Sequence, residues 1–206
     1  MSESKFKSMR HIETVRNYLN LCIREILDRA ERHDQSKMEK IEVETFEQYT
    51  PKLRTCTYGS DEYKGFLKEM EPALQNHYAN NRHHPEHFLM WQCVVCKQIF
   101  KDSEKYTGPH DDDGETYYCP KCCEHGMIYE CGLKKCSGIN GMNLIDLLEM
   151  VIDWKCSGMR HNNGDLLRSI EINKERFGMS DQLAQIFKNT AEWINAQNVY
   201  HKANES

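Results

Sequence analysis

The sequence lacks any run of about 18 apolar residues, the length that a membrane-spanning helix requires. Residues 1–10 are polar and do not resemble an export signal. An excess of basic residues is also absent. The formal net charge is −5, whereas a broad electrostatic interaction with nucleic acid needs clustered lysine and arginine. These absences predict a cytoplasmic protein that does not enter a membrane and does not bind nucleic acid over a broad surface.

Cysteine, in contrast, is abundant, and seven of the ten cysteines fall between residues 93 and 136. In a protein without an export signal, such crowding indicates metal binding rather than disulfide formation. Two Cys-x-x-Cys pairs stand out, separated by 22 residues, and together they can surround one Zn²⁺ ion tetrahedrally. A site closed by four sulfurs has no position for substrate. The sequence therefore predicts a structural zinc site formed by Cys93, Cys96, Cys119 and Cys122.

The other cysteines of this segment leave alternatives open. Cys123 could replace Cys122, and Cys131 with Cys136 could either help to bind a second ion or simply pack in the interior, which we favour. Residues 93–136 contain six Lys and Arg against eight Asp and Glu, which argues against phosphate binding. A contact with another protein, a lid over an active site and plain scaffolding remain as roles for the segment.

Most of the remaining sequence has the periodicity of helices. Apolar residues recur at three- and four-residue steps within 5–31, where they form the pattern of one buried stripe, and helices are also predicted over 35–48, 61–81, 144–157, 164–176 and 181–196. Ser60 is the predicted N-cap of the third helix. Helical periodicity disappears between 92 and 141. We predict a mostly α protein with a helical domain of residues 1–91 and 142–206 and an insertion of residues 92–141 that contains a β-hairpin.

Histidine and aspartate residues in separate helical segments suggest a second kind of metal site. His33 and Asp34 are adjacent, a histidine-dense stretch follows at 77–87, and Asp153 lies far downstream. Imidazole and carboxylate groups bind Zn²⁺, Mn²⁺ or Fe²⁺ and can leave a coordination position open for water. This combination predicts a metal-centred enzyme.

Four segments carry a resemblance to a known superfamily: HDQSK (33–37), YGSDEYK (58–64), HYANNRHHPEHF (77–88) and LIDLLEMVIDWK (144–155). They resemble the HD-domain superfamily of metal-dependent phosphohydrolases and, more narrowly, an uncharacterised HD-like family common in phages and bacteria. The resemblance covers about 150 residues outside the insertion. It implies an HD-like helical bundle interrupted by a zinc ribbon, and a location in the host cytoplasm if a phage encodes the protein.

The resemblance also implies a set of site residues. The helical metal site would contain one or two divalent ions, Mn²⁺, Fe²⁺, Mg²⁺ or Zn²⁺, bound by His11, His33, Asp34, His77, His84 and Asp153. Either His83 or His87 could substitute for one of the histidines between the His-Asp pair and the final aspartate. Asp34 and Lys37 would take part directly in catalysis, with Lys37 holding an oxygen of the substrate.

The function implied by the resemblance is hydrolysis of a small phosphorylated substrate, such as a nucleotide, by a metal-activated water. Two alternatives remain. Some HD-fold proteins hold two irons and oxidise their substrates with O₂, and a histidine-rich site would suit that reaction too. The chain could also be a non-catalytic adaptor that binds a partner through its zinc ribbon. The sequence does not indicate an oligomeric state.

Overall fold

The computed structural model describes residues 2–57, 60–88, 90–104, 106–108, 116–124, 132–159 and 165–197. The described part is mostly helical and contains a small antiparallel sheet, so the predicted fold class is confirmed at that level. The chain divides into two compact units, one of residues 1–77 and 144–149 and the other of residues 78–143 and 150–206. None of the described helices has the length and apolar character needed to cross a membrane.

The first unit begins with a long helix, α1 (Glu3–Arg32). The Ser2 hydroxyl caps it by accepting a hydrogen bond from the backbone N–H of Lys5, and Glu3 lies in its first turn, where a negative charge is favourable. All 30 residues of α1 are described, and none of them is buried. The periodicity predicted the helix correctly, but the apolar stripe that we expected to be buried is exposed within one chain.

Three more helices belong wholly or largely to this unit: α2 (Lys40–Thr55), α3 (Asp61–Glu69) and α4 (Glu71–Asn80). We predicted a single helix over 61–81, and the structure interrupts it at Met70. Pro72 explains the break, because its ring lacks an N–H and would clash with a carbonyl one turn earlier inside a continuous helix. At the start of a new helix no such hydrogen bond is needed. The predicted cap is confirmed, since the Ser60 hydroxyl accepts a hydrogen bond from the Tyr63 N–H.

The insertion belongs to the second unit. Its described residues, with the two residues before it, form five short strands: β1 (Met90–Cys93), β2 (Ile99–Lys101), β3 (Tyr106–Gly108), β4 (Thr116–Tyr118) and β5 (Leu133–Cys136). Strands β2, β1 and β5 form an antiparallel sheet in that order, and β3 pairs with β4. A five-residue helix, α5 (Pro120–Glu124), follows β4. The insertion is therefore more elaborate than the single hairpin that we expected.

Helix α6 (Leu144–Gly158) begins in the first unit and continues into the second, which also contains α7 (Leu166–Phe177) and α8 (Asp181–Gln197). Asp165 caps α7, and Gly178 ends it with the positive φ of 60° that glycine adopts without steric cost. Aromatic contacts join these helices: Trp154 stacks on Phe177 at 6.3 Å and meets Phe187 edge-on at 6.1 Å. Such contacts form a core by burial of large apolar surfaces.

The backbone at Gly138, near the end of the insertion, lies very close to the backbone of residues 85–88 in the same unit. A Cβ atom at position 138 would lie 1.7 Å from the carbonyl oxygen of Pro85 and 2.6 Å from that of Phe88. Gly138→Ala must therefore move backbone, and we expect a loss of unfolding free energy of about 2 kcal/mol or more in a denaturant titration. The control is Gly65→Ala, where a Cβ meets nothing within 4 Å and an alanine favours the helix. Equal stability of the two variants would contradict this close approach.

Candidate metal centres

Four cysteine sulfurs converge in the insertion. Cys93 ends β1, Cys96 lies in the turn from β1 to β2, Cys119 follows β4, and Cys122 lies in α5. Their sulfur atoms all lie within 4.8 Å of one another, and the Cys93–Cys122 and Cys96–Cys119 pairs are each 3.6 Å apart. Two sulfurs bound 2.3 Å from one tetrahedral ion lie about 3.8 Å apart. The four cysteines can therefore hold a structural metal, as their spacing predicted.

The turn after Cys93 favours the charged form of its sulfur. The backbone N–H groups of Val95 and Cys96 both donate to Cys93 Sγ at 3.4 Å, and Lys97 adopts a left-handed conformation that reverses the chain. Burial alone would raise the pKa of Cys93. The two N–H donors and the neighbouring thiols outweigh burial and lower this pKa to about 7. Because the thiolate is the form that binds metal, this turn fits a metal ligand.

An apolar layer covers the four sulfurs. Phe100 and Tyr118 are buried in one cluster with three of the cysteines, and Trp91 and Leu133 pack against it. Cys123 also packs against this cluster, but it is not a member of the group of four. Cys136 is half-buried in β5, and Cys131 lies outside the described residues. Cys123 therefore packs beside the cluster, and the group of four that could hold a metal is the one with Cys122.

The predicted His33-Asp34 pair lies where α1 ends. Helical geometry stops at His33, and Asp34 has a left-handed backbone with φ 57°, a conformation in which aspartate is several-fold enriched among non-glycine residues. A short 3₁₀ turn, Gln35–Met38, begins immediately afterwards. The Lys37 ammonium reaches back to Asp34 Oδ2 at 2.5 Å. The turn thus fixes a histidine, an aspartate and a lysine within five residues.

Two imidazoles of the first unit face the carboxylate of Asp34. His33 Nε2 lies 3.5 Å from Asp34 Oδ2, and His77 Nε2 lies 3.4 Å from Asp34 Oδ1. The other nitrogen of each ring meets a glutamate at 2.9 Å, with Glu149 on His33 Nδ1 and Glu42 on His77 Nδ1. A ring whose Nδ1–H donates to a carboxylate carries its lone pair on Nε2. This carboxylate–histidine pattern is typical of metal ligands.

The electrostatics of the cluster suit metal binding. Burial opposes ionisation of Asp34, but the hydrogen bond and charge of Lys37, with smaller contributions from the two histidines, outweigh it and lower the pKa of Asp34. Burial is also the largest influence on His77, and it lowers the pKa of His77 although Asp34 and Glu42 act in the opposite direction. At neutral pH the carboxylate is therefore ionised and the buried imidazole is neutral, which are the forms that bind a cation.

A buried ion-pair network supports the His33 side of the cluster. Arg29 Nη1 donates to Asp146 Oδ1 at 2.6 Å and to Glu149 Oε2 at 3.1 Å, and the Asp146 side chain is fully buried. Burial alone would lower the pKa of Arg29, but its hydrogen bonds to three carboxylates raise it: Glu25, Asp146 and Glu149. Glu149 also accepts a hydrogen bond from His33. The orientation of the His33 ring therefore depends on the contact between α1 and α6 that Arg29 makes.

The remaining predicted ligand of the first unit, His11, is not part of this cluster. It is exposed and lies on α1, 22 residues before His33. At about 1.5 Å per residue, a continuous helix separates the two positions by about 33 Å. His11 and His33 therefore do not bind the same ion, contrary to the expectation from the HD resemblance.

The second unit contains the other predicted ligands. A ring nitrogen of the buried His83 lies within 4.8 Å of one from His84, and a ring nitrogen of His83 also lies within 4.8 Å of a carboxylate oxygen of Asp153. His87 Nδ1 donates to the carbonyl oxygen of Tyr78 at 2.8 Å. The sequence left His83 and His87 as alternative metal ligands. His83 lies near both His84 and Asp153, whereas His87 makes a hydrogen bond to the backbone.

The sequence did not single out Glu42 or Glu149, although both orient the histidines. Glu42 is fully buried and also accepts from Asn76 Nδ2 at 2.7 Å. In the sequence, Glu42 could be noticed only as a charged residue between two apolar residues of a predicted helix. Glu149 lies four residues before Asp153 on α6, the spacing that places two side chains on one helix face. Its spacing from the predicted ligand Asp153 could therefore have identified Glu149 from the sequence.

Comparison with protein families places most of the chain in a known family. The family model described as "Family of unknown function (DUF5662)" matches residues 1–110 and 117–197. No curated protein and no solved structure matches the chain significantly. The match includes the turn after α1, the histidines of 77–87, the cysteine quartet and α6. The chain therefore belongs to this family of unknown function.

Proposed function

We propose that the protein is a metal-dependent phosphohydrolase of HD-like architecture that acts on a nucleotide or another small phosphate ester. The observation that carries this proposal is the arrangement of His33, Asp34 and His77. Each imidazole is anchored through Nδ1 by a glutamate and presents Nε2 to one carboxylate oxygen of Asp34. With Nε2 unprotonated, each nitrogen and its facing carboxylate oxygen are two acceptor atoms at 3.4–3.5 Å, and a cation between them would turn their repulsion into attraction.

The distances fit a first-row divalent ion. Two ligand atoms about 2.1 Å from one tetrahedral ion lie about 3.4 Å apart, which matches the Nε2–Oδ separations. Nitrogen and carboxylate donors suit Zn²⁺, Mn²⁺ or Fe²⁺. From the HD resemblance we also expect His84 and Asp153 to contribute to metal binding, and the proximity of His83 to both of them in the second unit adds His83 as a candidate.

Each residue of the cluster has a separate role in the proposed reaction. His33, Asp34 and His77 hold the ion, which when bound would make a water molecule acidic near neutral pH and offset charge on a phosphoryl group. Glu42 and Glu149 keep the two rings in orientation, and Arg29 keeps Glu149 in place. Lys37 lies beside Asp34 with 29% of its side chain exposed, so its ammonium is available to hold a phosphoryl oxygen as a point charge.

For the insertion we propose a structural zinc ion. The four cysteines form a closed sulfur site, and the ion that such sites prefer is Zn²⁺. Burial of Cys93, Cys119 and Cys122 leaves no room for a substrate at the metal. The role of this ion is to stabilise the insertion, whose strands have only three or four residues each.

A phosphatase screen with Asp34→Asn tests the proposed reaction. Asparagine tolerates the left-handed backbone of position 34 but lacks the charge. We expect the wild-type protein with Mn²⁺ to release phosphate from a nucleotide or from p-nitrophenyl phosphate, and Asp34→Asn to lose at least about 100-fold of this rate. The matched control is Asp28→Asn, which removes an exposed carboxylate of α1 and should retain the rate.

The outcomes of this screen separate the candidate functions. Phosphate release that depends on Asp34 supports the proposal. O₂ consumption with an oxidised product and an iron-dependent absorption spectrum would assign the site to oxygenase chemistry instead. Absence of both activities with Mn²⁺, Fe²⁺, Mg²⁺ and Zn²⁺ would overturn the enzymatic proposal and favour an adaptor.

A further inference from the structure

Helix α1 exposes a wide apolar stripe along most of its length. Six large apolar side chains on one side of the helix are between 42% and 59% exposed: Met9, Ile12, Val15, Leu19, Ile23 and Leu27. An amphipathic helix normally buries such a face, and a contiguous exposed apolar patch marks an interaction site. The helix of 30 residues is about 45 Å long, and the stripe from Met9 to Leu27 extends over about 27 Å of it.

The spacing within the stripe is that of a coiled-coil seam. Residues at alternating steps of three and four define the a and d positions of a heptad: Ile12, Val15, Leu19, Cys22 and Ile26. A seam of this kind is complementary to another helix with the same repeat. We propose that α1 is a dimerisation element that pairs in antiparallel orientation with α1 of a second copy of this chain.

The register follows from the apolar positions. In an antiparallel pair each a residue faces a d residue, and a pair centred on residue 17 places Ile12 opposite Cys22 and Val15 opposite Leu19 of the second copy. The flanking positions then bring Met9 beside Ile23 of the second copy, which extends the apolar contact. All four central layers are apolar in this register.

Charge distinguishes the two orientations. The antiparallel register places His11 beside Glu25 of the second copy, where imidazole can donate to carboxylate, and does so twice by symmetry. It also brings two copies of Arg16 together, but each Arg16 already pairs with its own Glu13 at 2.7 Å. A parallel pair would instead place Arg16 beside His11. Basic residues meet at the ends of the seam in both orientations, with Lys5 facing Lys5 in the parallel pair and Arg29 in the antiparallel pair. Flanking charges of opposite sign set the orientation of coiled coils, so they favour the antiparallel pair.

The first test is the mass of the wild-type protein in solution, by light scattering or sedimentation. We expect twice the 24.3 kDa of one chain. Leu19→Glu introduces two charges into the central layers and should weaken the dimer by about 100-fold or more. Leu19 is 59% exposed within one chain, so the fold of the monomer should persist. Asn17→Glu, on the opposite face of α1, is the matched control and should remain dimeric.

The second test is a cross-link that reports the register. Ile12→Cys would lie opposite the native Cys22 of the second copy, within the Cα distance that a disulfide requires. With diamide as oxidant, we expect a covalent dimer from Ile12→Cys, none from the double variant Ile12→Cys/Cys22→Ser, and none from Arg10→Cys on the opposite face. A monomeric wild-type protein, or a dimer unaffected by Leu19→Glu, would overturn the proposal. A Cys22–Cys22 cross-link in the wild type would overturn the antiparallel orientation.

Discussion

Cys119→Ser is expected to remove one equivalent of metal from the purified protein and to unfold the insertion. A serine hydroxyl is a poor ligand compared with a thiolate, and three sulfurs no longer close the tetrahedron. Structural zinc contributes apparent binding free energies of about 10–16 kcal/mol in zinc-finger peptides, which here would stabilise strands too short to persist alone. We expect the backbone amides of β1 and β5 to lose protection in hydrogen exchange, with elemental analysis showing the missing metal.

Cys123→Ser is the matched control for this experiment, because Cys123 is adjacent to Cys122 and packs against the same cluster without belonging to the four. It should retain the metal and the amide protection of the sheet. If Cys123→Ser lost the metal and Cys122→Ser retained it, the ligand set described above would be wrong. Retention of a full equivalent by Cys119→Ser would show that the four sulfurs do not bind metal together.

Arg29→Met is expected to lower the free energy of unfolding by about 3–5 kcal/mol, the effect of removing one partner from a buried ion pair. The variant keeps the length of the side chain but leaves the fully buried Asp146 without its guanidinium partner at 2.6 Å. Because Arg29 also donates to Glu149, the orientation of His33 should loosen. We expect a further loss of about 10-fold or more in metal affinity at the His33 cluster, measured separately by titration.

The control is Arg32→Met, one helical turn along α1. The Arg32–Asp28 pair is exposed, with side chains that are each 71% accessible, and exposed pairs contribute between about 0 and 1 kcal/mol. Chemical denaturation of both variants compares the two arginines directly. A loss below about 1 kcal/mol in Arg29→Met would contradict the importance assigned to the buried network.

Local patterns predicted the local features of this fold well. The helix of residues 5–31 is present as α1, the Ser60 cap is formed as expected, and the two Cys-x-x-Cys pairs bring their sulfurs together. Each of these features depends on residues close in sequence, or on a ligand spacing that metal geometry restricts strongly. Periodicity, capping and ligand spacing are physical rules of short range.

Features that depend on distant parts of the chain were not predictable in the same way. Glu42 and Glu149 meet histidines that are 35 and 116 residues away in sequence, and an isolated glutamate in a helical pattern carries no information about such contacts. His11 satisfied a motif, but the uninterrupted length of α1 separates it from His33. Likewise, periodicity shows that a helix has an apolar face, but it does not show whether the same chain covers that face.

The most direct test of the proposed metal centre is the metal content of wild-type protein and Asp34→Asn after purification and equilibration with Mn²⁺. We predict about one zinc per chain in both proteins, and at least one further divalent ion per chain in the wild type that Asp34→Asn fails to retain. Equal metal content in the two proteins, with zinc as the only ion bound, would contradict a metal centre formed by His33, Asp34 and His77.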